Sequence, residues 1–225
     1  MFYLFLLAHM IADFALQPLW LVRRKRYWYG LVIHIGLVLV CMLALGLLEP
    51  AARALWPAML AIGAIHFLAD WWKVNYGDGL FKQPLVPYLL DQVIHIGTLV
   101  LVLSLVVPPA QLWSPDAVAY GWLAIYLNAY MLAALAVPIT LIVLFDPSFR
   151  HAAQAAHARA RSLLAAVVVL SLSLLAGPLA LPVTLAGLAW ALRRPASQHP
   201  LDTPSGIMAV VFVAATTGAL LAGLR

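Results

Sequence analysis

Apolar residues run through this chain in stretches of about twenty, separated by short polar or proline-containing breaks. The runs predict helices over about 2–22, 28–48, 55–73, 86–107, 118–145 and 206–224. The stretch 162–192 is also apolar, but Gly177-Pro178 and Pro182 interrupt it, so it reads either as one crossing or as a hairpin of two short arms. One membrane crossing takes about 20 apolar residues, so the pattern predicts an all-α polytopic transmembrane bundle of about seven spans, within a range of six to eight. The alternation that marks a barrel strand is missing, and an open sheet would leave backbone groups unpaired in lipid.

Composition sharpens this picture. Of the 225 residues, 65% are apolar and 9% are charged, whereas soluble domains carry about 25% charged residues. Such a chain cannot cover its surface with polar groups in water, which excludes a soluble nucleic-acid binder, a disordered chain and a disulfide scaffold. The single cysteine, Cys41, lies inside an apolar run.

The net charge of +5 reads as orientation signal and attraction to anionic lipid heads, not as a nucleic-acid site. Basic residues fall in alternate loops: Arg23-Arg24-Lys25-Arg26, then Lys73 and Lys82, then Arg150, Arg159 and Arg161. The loops at 49–53 and 108–117 are poor in them. This asymmetry predicts cytoplasmic basic loops and an N-terminus outside. Residues 149–161, basic among alanines, predict an interfacial helix on anionic lipid.

Ionisable residues inside the first four predicted spans carry the chemistry. The first has His9, Asp13 and Gln17; the second has His34; the third has His66 and Asp70, with Lys73 at its end; the fourth has Asp91, Gln92 and His95. An Asp at the centre of a span costs about 2.5 to 3.5 kcal/mol on insertion scales, so such residues face the bundle interior and mark function. Spacings of four put His9 over Asp13, His66 over Asp70 and Asp91 over His95 on single helical faces. Counted at about 1.5 Å per residue, all of these groups fall roughly 6 to 20 Å from the basic boundary, in one layer. The chain therefore divides into a four-helix transmembrane domain over 1–107 that holds the polar cluster, and C-terminal transmembrane helices over 118–225 whose role the sequence does not reveal.

Imidazoles with carboxylates form the ligand set of zinc, iron or manganese. His9, His34, His66 and His95 are the candidate ligands of a divalent metal, zinc first. Asp13, Asp70 and Asp91 are candidate ligands, orienting groups or the general base, and Gln17, Lys73 and Gln92 are candidate substrate-positioning residues. The function that follows is a membrane-embedded metal-dependent hydrolase of a lipid-linked ester, amide or phosphate, acting at the cytoplasmic side on a membrane lipid or lipid-linked substrate. Two alternatives use the same residues. One is a proton- or cation-coupled transporter. The other is a structural or partner-binding membrane subunit whose His–Asp pairs lock helix packing. Haem ligation fits less well, because carboxylates crowd the imidazoles.

The ordered set also resembles a known family. Leu7-Ala8-His9-Met10-Ile11-Ala12-Asp13-Phe14-Ala15-Leu16-Gln17, the basic stretch after it, His34, His66-Phe67-Leu68-Ala69-Asp70 with Lys73, and Asp91-Gln92-Val93-Ile94-His95 are similar to a family of bacterial inner-membrane proteins catalogued as domain of unknown function 3307. The resemblance covers about residues 3–107. It implies a multi-pass protein of the bacterial inner membrane, and it implies no reaction. A looser similarity links His-x3-Asp on a membrane helix to membrane-bound metal-dependent hydrolases.

Overall fold

The computed structural model describes residues 1–151, 156–176 and 199–224, together with positions 182, 184, 185 and 189. Every element among the described residues is helical. Among the described residues, five helices are long and apolar enough to cross a membrane: Trp28–Leu48 (α3), Leu85–Val106 (α5), Gly121–Phe145 (α6), Ala156–Ala176 (α7) and Pro204–Ala222 (α8). That is fewer than the about seven expected.

Two predicted spans account for the difference. The first was expected to run unbroken to residue 22, but Phe2–Ala15 (α1) stops short and a separate helix, Leu19–Arg24 (α2), follows. Pro18 supplies the reason. Its backbone is extended (ψ 157°), and proline has no N–H with which to continue the ladder. The third, Trp56–Trp72 (α4), has 17 residues in regular α geometry before a π-helical turn, Lys73–Gly77. The choice between one crossing and a hairpin over 162–192 falls largely outside the described residues; 162–176 belong to α7.

Of the expected interfacial helix over 149–161, residues 149–151 are not helical and 152–155 lie outside the described residues. Buried Asp146 accepts hydrogen bonds from the Ser148 hydroxyl and from the backbone N–H groups of Arg150 and His151, which closes a turn with Phe149 at φ 55°. Residues 156–161 instead start α7.

The chain divides into two compact units, Met1–Asn128 and Ala129–Arg225. In the first, α3 packs against α1 and α4, while α5 packs against α4 and returns to α1. The four helices therefore close a ring. α2 lies on α3, and the turn between them is tight. Tyr27 N–H donates to the Arg24 carbonyl at 2.9 Å, and a Cβ on Gly30 would overlap that same carbonyl oxygen. Glu49 ties a loop to this unit by accepting from the backbone N–H of Ala119 at 2.9 Å.

In the second unit, α7 and α8 form the closest pair, and the C-terminal part of α6 packs on both. Small residues allow that approach. A Cβ on Gly218 would press into Ser173 and the Leu170 carbonyl, the mode by which membrane helices gain dispersion energy. Tyr130 and Ser171 share a 2.6 Å hydroxyl hydrogen bond.

The Arg24–Gly30 turn yields a prediction. Gly30→Ala forces the Arg24 carbonyl to move and costs about 1–3 kcal/mol by overpacking. Gly36 on the same helix has open space around its missing Cβ, so Gly36→Ala is neutral or stabilises by about 0.5–1 kcal/mol. Thermal unfolding of the detergent-solubilised chain checks this. Equal melting temperatures for the two variants would remove the close approach as a constraint.

Candidate metal centre

The ring of α1, α3, α4 and α5 turns its polar positions inward to one point. The spacing of four stacks each Asp with its His on a helical face, and the closed packing order brings the faces together. His9, His34, His66, Asp70, Asp91 and His95 are all buried, with His34 fully so (0% exposed). Asp13 sits on the π-helical turn Ile11–Ala15 that ends α1, a distortion that recurs at functional sites. Its side chain is 6% exposed.

Asp13 is the hub. Its Oδ1 lies 3.4 Å from His34 Nε2, 3.7 Å from His9 Nδ1 and 3.8 Å from His66 Nε2, and its Oδ2 lies 3.8 Å from His95 Nδ1. All four imidazoles thus face one carboxylate. They also touch each other. His34 Nε2 and His66 Nε2 are 3.1 Å apart, and the rings of His66 and His95 stack with centroids 3.7 Å apart and 9° between planes. His9 meets both of these rings edge-on.

The other two carboxylates are held by lysines. Lys25 Nζ donates to Asp70 Oδ2 at 2.9 Å, and Lys73 Nζ donates to Asp91 Oδ2 at 2.7 Å. Gln92 Nε2 adds a 3.2 Å hydrogen bond to the same Asp91 oxygen. Asp70 Oδ2 faces His34 Nε2 at 3.3 Å and His66 Nε2 at 3.7 Å, and Asp91 Oδ1 faces His95 Nε2 at 3.6 Å. With neutral imidazoles, the three carboxylates exceed the two lysines by one negative charge.

The donor set fits a metal ion on two counts. First, zinc–nitrogen distances of about 2.0–2.1 Å in a tetrahedral site put neighbouring ligand atoms about 3.3 Å apart. His34 Nε2, His66 Nε2 and Asp70 Oδ2 are separated by 3.1, 3.3 and 3.7 Å. Second, hydrogen bonding within the protein leaves this region short of partners. His9 Nε2, Asp13 Oδ1, His34 Nδ1, Asp70 Oδ1, Asp91 Oδ1 and both ring nitrogens of His95 are buried without one. Buried polar atoms are rarely left so, and each costs about 1–3 kcal/mol; of these, Asp13 Oδ1 and His95 Nδ1 face the other donors, where a cation offers their lone pairs a partner.

Of the sequence-derived candidates, the structure brings together His9, Asp13, His34, His66, Asp70, Asp91 and His95, with Lys73 and Gln92 on Asp91. Gln17 lies half-buried beyond the π turn, and no hydrogen bond joins it to the cluster. One participant was missed. Lys25 reads in the sequence as one of four basic orientation residues, yet it is buried while Arg23, Arg24 and Arg26 are exposed. The signal was its place four residues after Leu21, which is also buried, so both lie on the inward face of α2.

The family described as "Protein of unknown function (DUF3307)" matches residues 1–120. The chain belongs to the DUF3307 family. The DUF3307 segment contains all seven donors, both lysines and the whole of the closed ring. No curated protein and no solved structure matches the chain.

The lysine pairing gives a second prediction. Lys25→Met keeps the apolar stem but strands the Asp70 carboxylate, and removing one partner of a buried pair costs about 3–5 kcal/mol. Arg23→Met, on the exposed side of the same short helix, changes stability by less than about 0.5 kcal/mol. Denaturant unfolding in mixed micelles separates the two, and a Lys25→Met protein as stable as wild type would show that Asp70 does not depend on this lysine.

Proposed function

We propose that this DUF3307 protein is a membrane-embedded metal-dependent hydrolase acting on a lipid-linked ester, amide or phosphate, resident in the bacterial inner membrane. The observation that carries the reading is the convergence of four imidazoles and three carboxylates, several of their atoms lacking any partner, inside an apolar ring of helices.

His9, His34, His66 and His95 with Asp13 and Asp70 are the groups that hold the ion. Mixed nitrogen and oxygen donors favour zinc, with iron or manganese as the other choices. A divalent cation in such a site polarises a carbonyl or phosphoryl oxygen and lowers the pKa of water. The remaining residues do the rest. Asp91 Oδ1 lacks a hydrogen-bond partner, which suits it to accept a proton, while Lys73 and Gln92 fix its other oxygen. The Lys73 side chain is 24% exposed, so its ammonium also suits an anionic headgroup at the mouth. Lys25 holds Asp70 facing His34 and His66.

Metal analysis of the full chain, purified without chelator, tests the reading together with turnover of ester, amide and phosphate lipids in vesicles. Wild type is expected to carry stoichiometric metal and to lose turnover on metal removal. His66→Ala is expected to lose metal, and Asp91→Asn to keep the fold and the metal while losing about 10²- to 10⁴-fold in turnover, as loss of a general base does. Wild-type protein without stoichiometric metal ends the hydrolase reading, and pH-dependent cation flux in the same vesicles would put a transporter in its place.

A further inference from the structure

Seven donors are more than one small ion needs. Their atoms fall into overlapping sets of mutually close donors: His34, His66 and Asp70; His9, Asp13, His66 and His95; and Asp70, Asp91 and His95.

We infer that the cluster is built for two divalent cations, with Asp13 as the bridging carboxylate. The inference rests on the metal-centred reading above and deepens it. One site takes His34 Nε2, His66 Nε2 and Asp70 Oδ2. The other takes His9 and His95 Nδ1. Asp13 belongs to both. Its Oδ1 is 3.4 Å from His34 Nε2, 3.8 Å from His66 Nε2 and 3.7 Å from His9 Nδ1, and its Oδ2 is 3.8 Å from His95 Nδ1.

The outer groups support the same division. Each site has its own lysine-anchored aspartate: Asp70, fixed by Lys25, enters the first site as a ligand. Asp91, fixed by Lys73, lies beside the second, with Oδ1 3.6 Å from His95 Nε2, beyond hydrogen-bond length. Asp13 alone of the three has no lysine within salt-bridge reach, as expected of the carboxylate whose charge two cations share. Paired cations are the arrangement of many phosphatases and aminopeptidases, in which both the attacking and the leaving atoms are stabilised.

Titration of the metal-stripped full chain with Co(II), followed by its visible d–d absorption, tests the inference. The expected endpoint is two equivalents per chain. His34→Ala and His9→Ala, each checked for a single gel-filtration peak, are expected to bind one equivalent apiece. A wild-type endpoint at one equivalent overturns the two-cation arrangement and leaves the metalloenzyme reading standing; no binding at all overturns both. Two equivalents that persist in both variants overturn the assignment of these residues. If neither variant folds, the wild-type endpoint decides alone.

Discussion

Charge buried in an apolar ring must be compensated where it stands, and that requirement organises the first unit of this protein. Moving an ion out of water costs several kcal/mol even after relaxation. Asp70 and Asp91 meet the demand with lysines that reach them from outside their own faces, Lys25 from α2 and Lys73 from the π turn after α4. Asp13 has no such partner and is met by four imidazoles instead. The break at Pro18 and the tight Arg24–Gly30 turn place Lys25 where it reaches Asp70.

The membrane class, the helical character and the inward face of each of the first four apolar runs were legible from local pattern. Spacings of four residues and the cost of an ionised group in lipid suffice to predict that His66 and Asp70, or Asp91 and His95, point to an interior. The pattern did not tell where regular helix stops. Pro18 could have signalled the end of α1, but the apolar run on either side of it reads as continuous. The π turn at Ile11–Ala15 left no composition mark. Lys25 was hidden by its neighbours, because burial of one member of a basic cluster depends on how α2 folds back onto α3, a tertiary event. The turn at 146–151 was missed for a related reason. One aspartate capturing two backbone N–H groups outweighed the helical reading of residues 149–151.

The two units are stabilised by different means. In the second, close approach of small residues at Gly218 and Ser173 gives contact without charge, so its helices can pair as soon as they meet. The first has no such freedom. Its ring is closed by α5 returning to α1, the earliest helix of the four meeting the last. The imidazoles that meet Asp13 from outside its own helix thus come from the three ring helices that follow it in the chain, and the pocket is complete only once α5 has packed back onto α1.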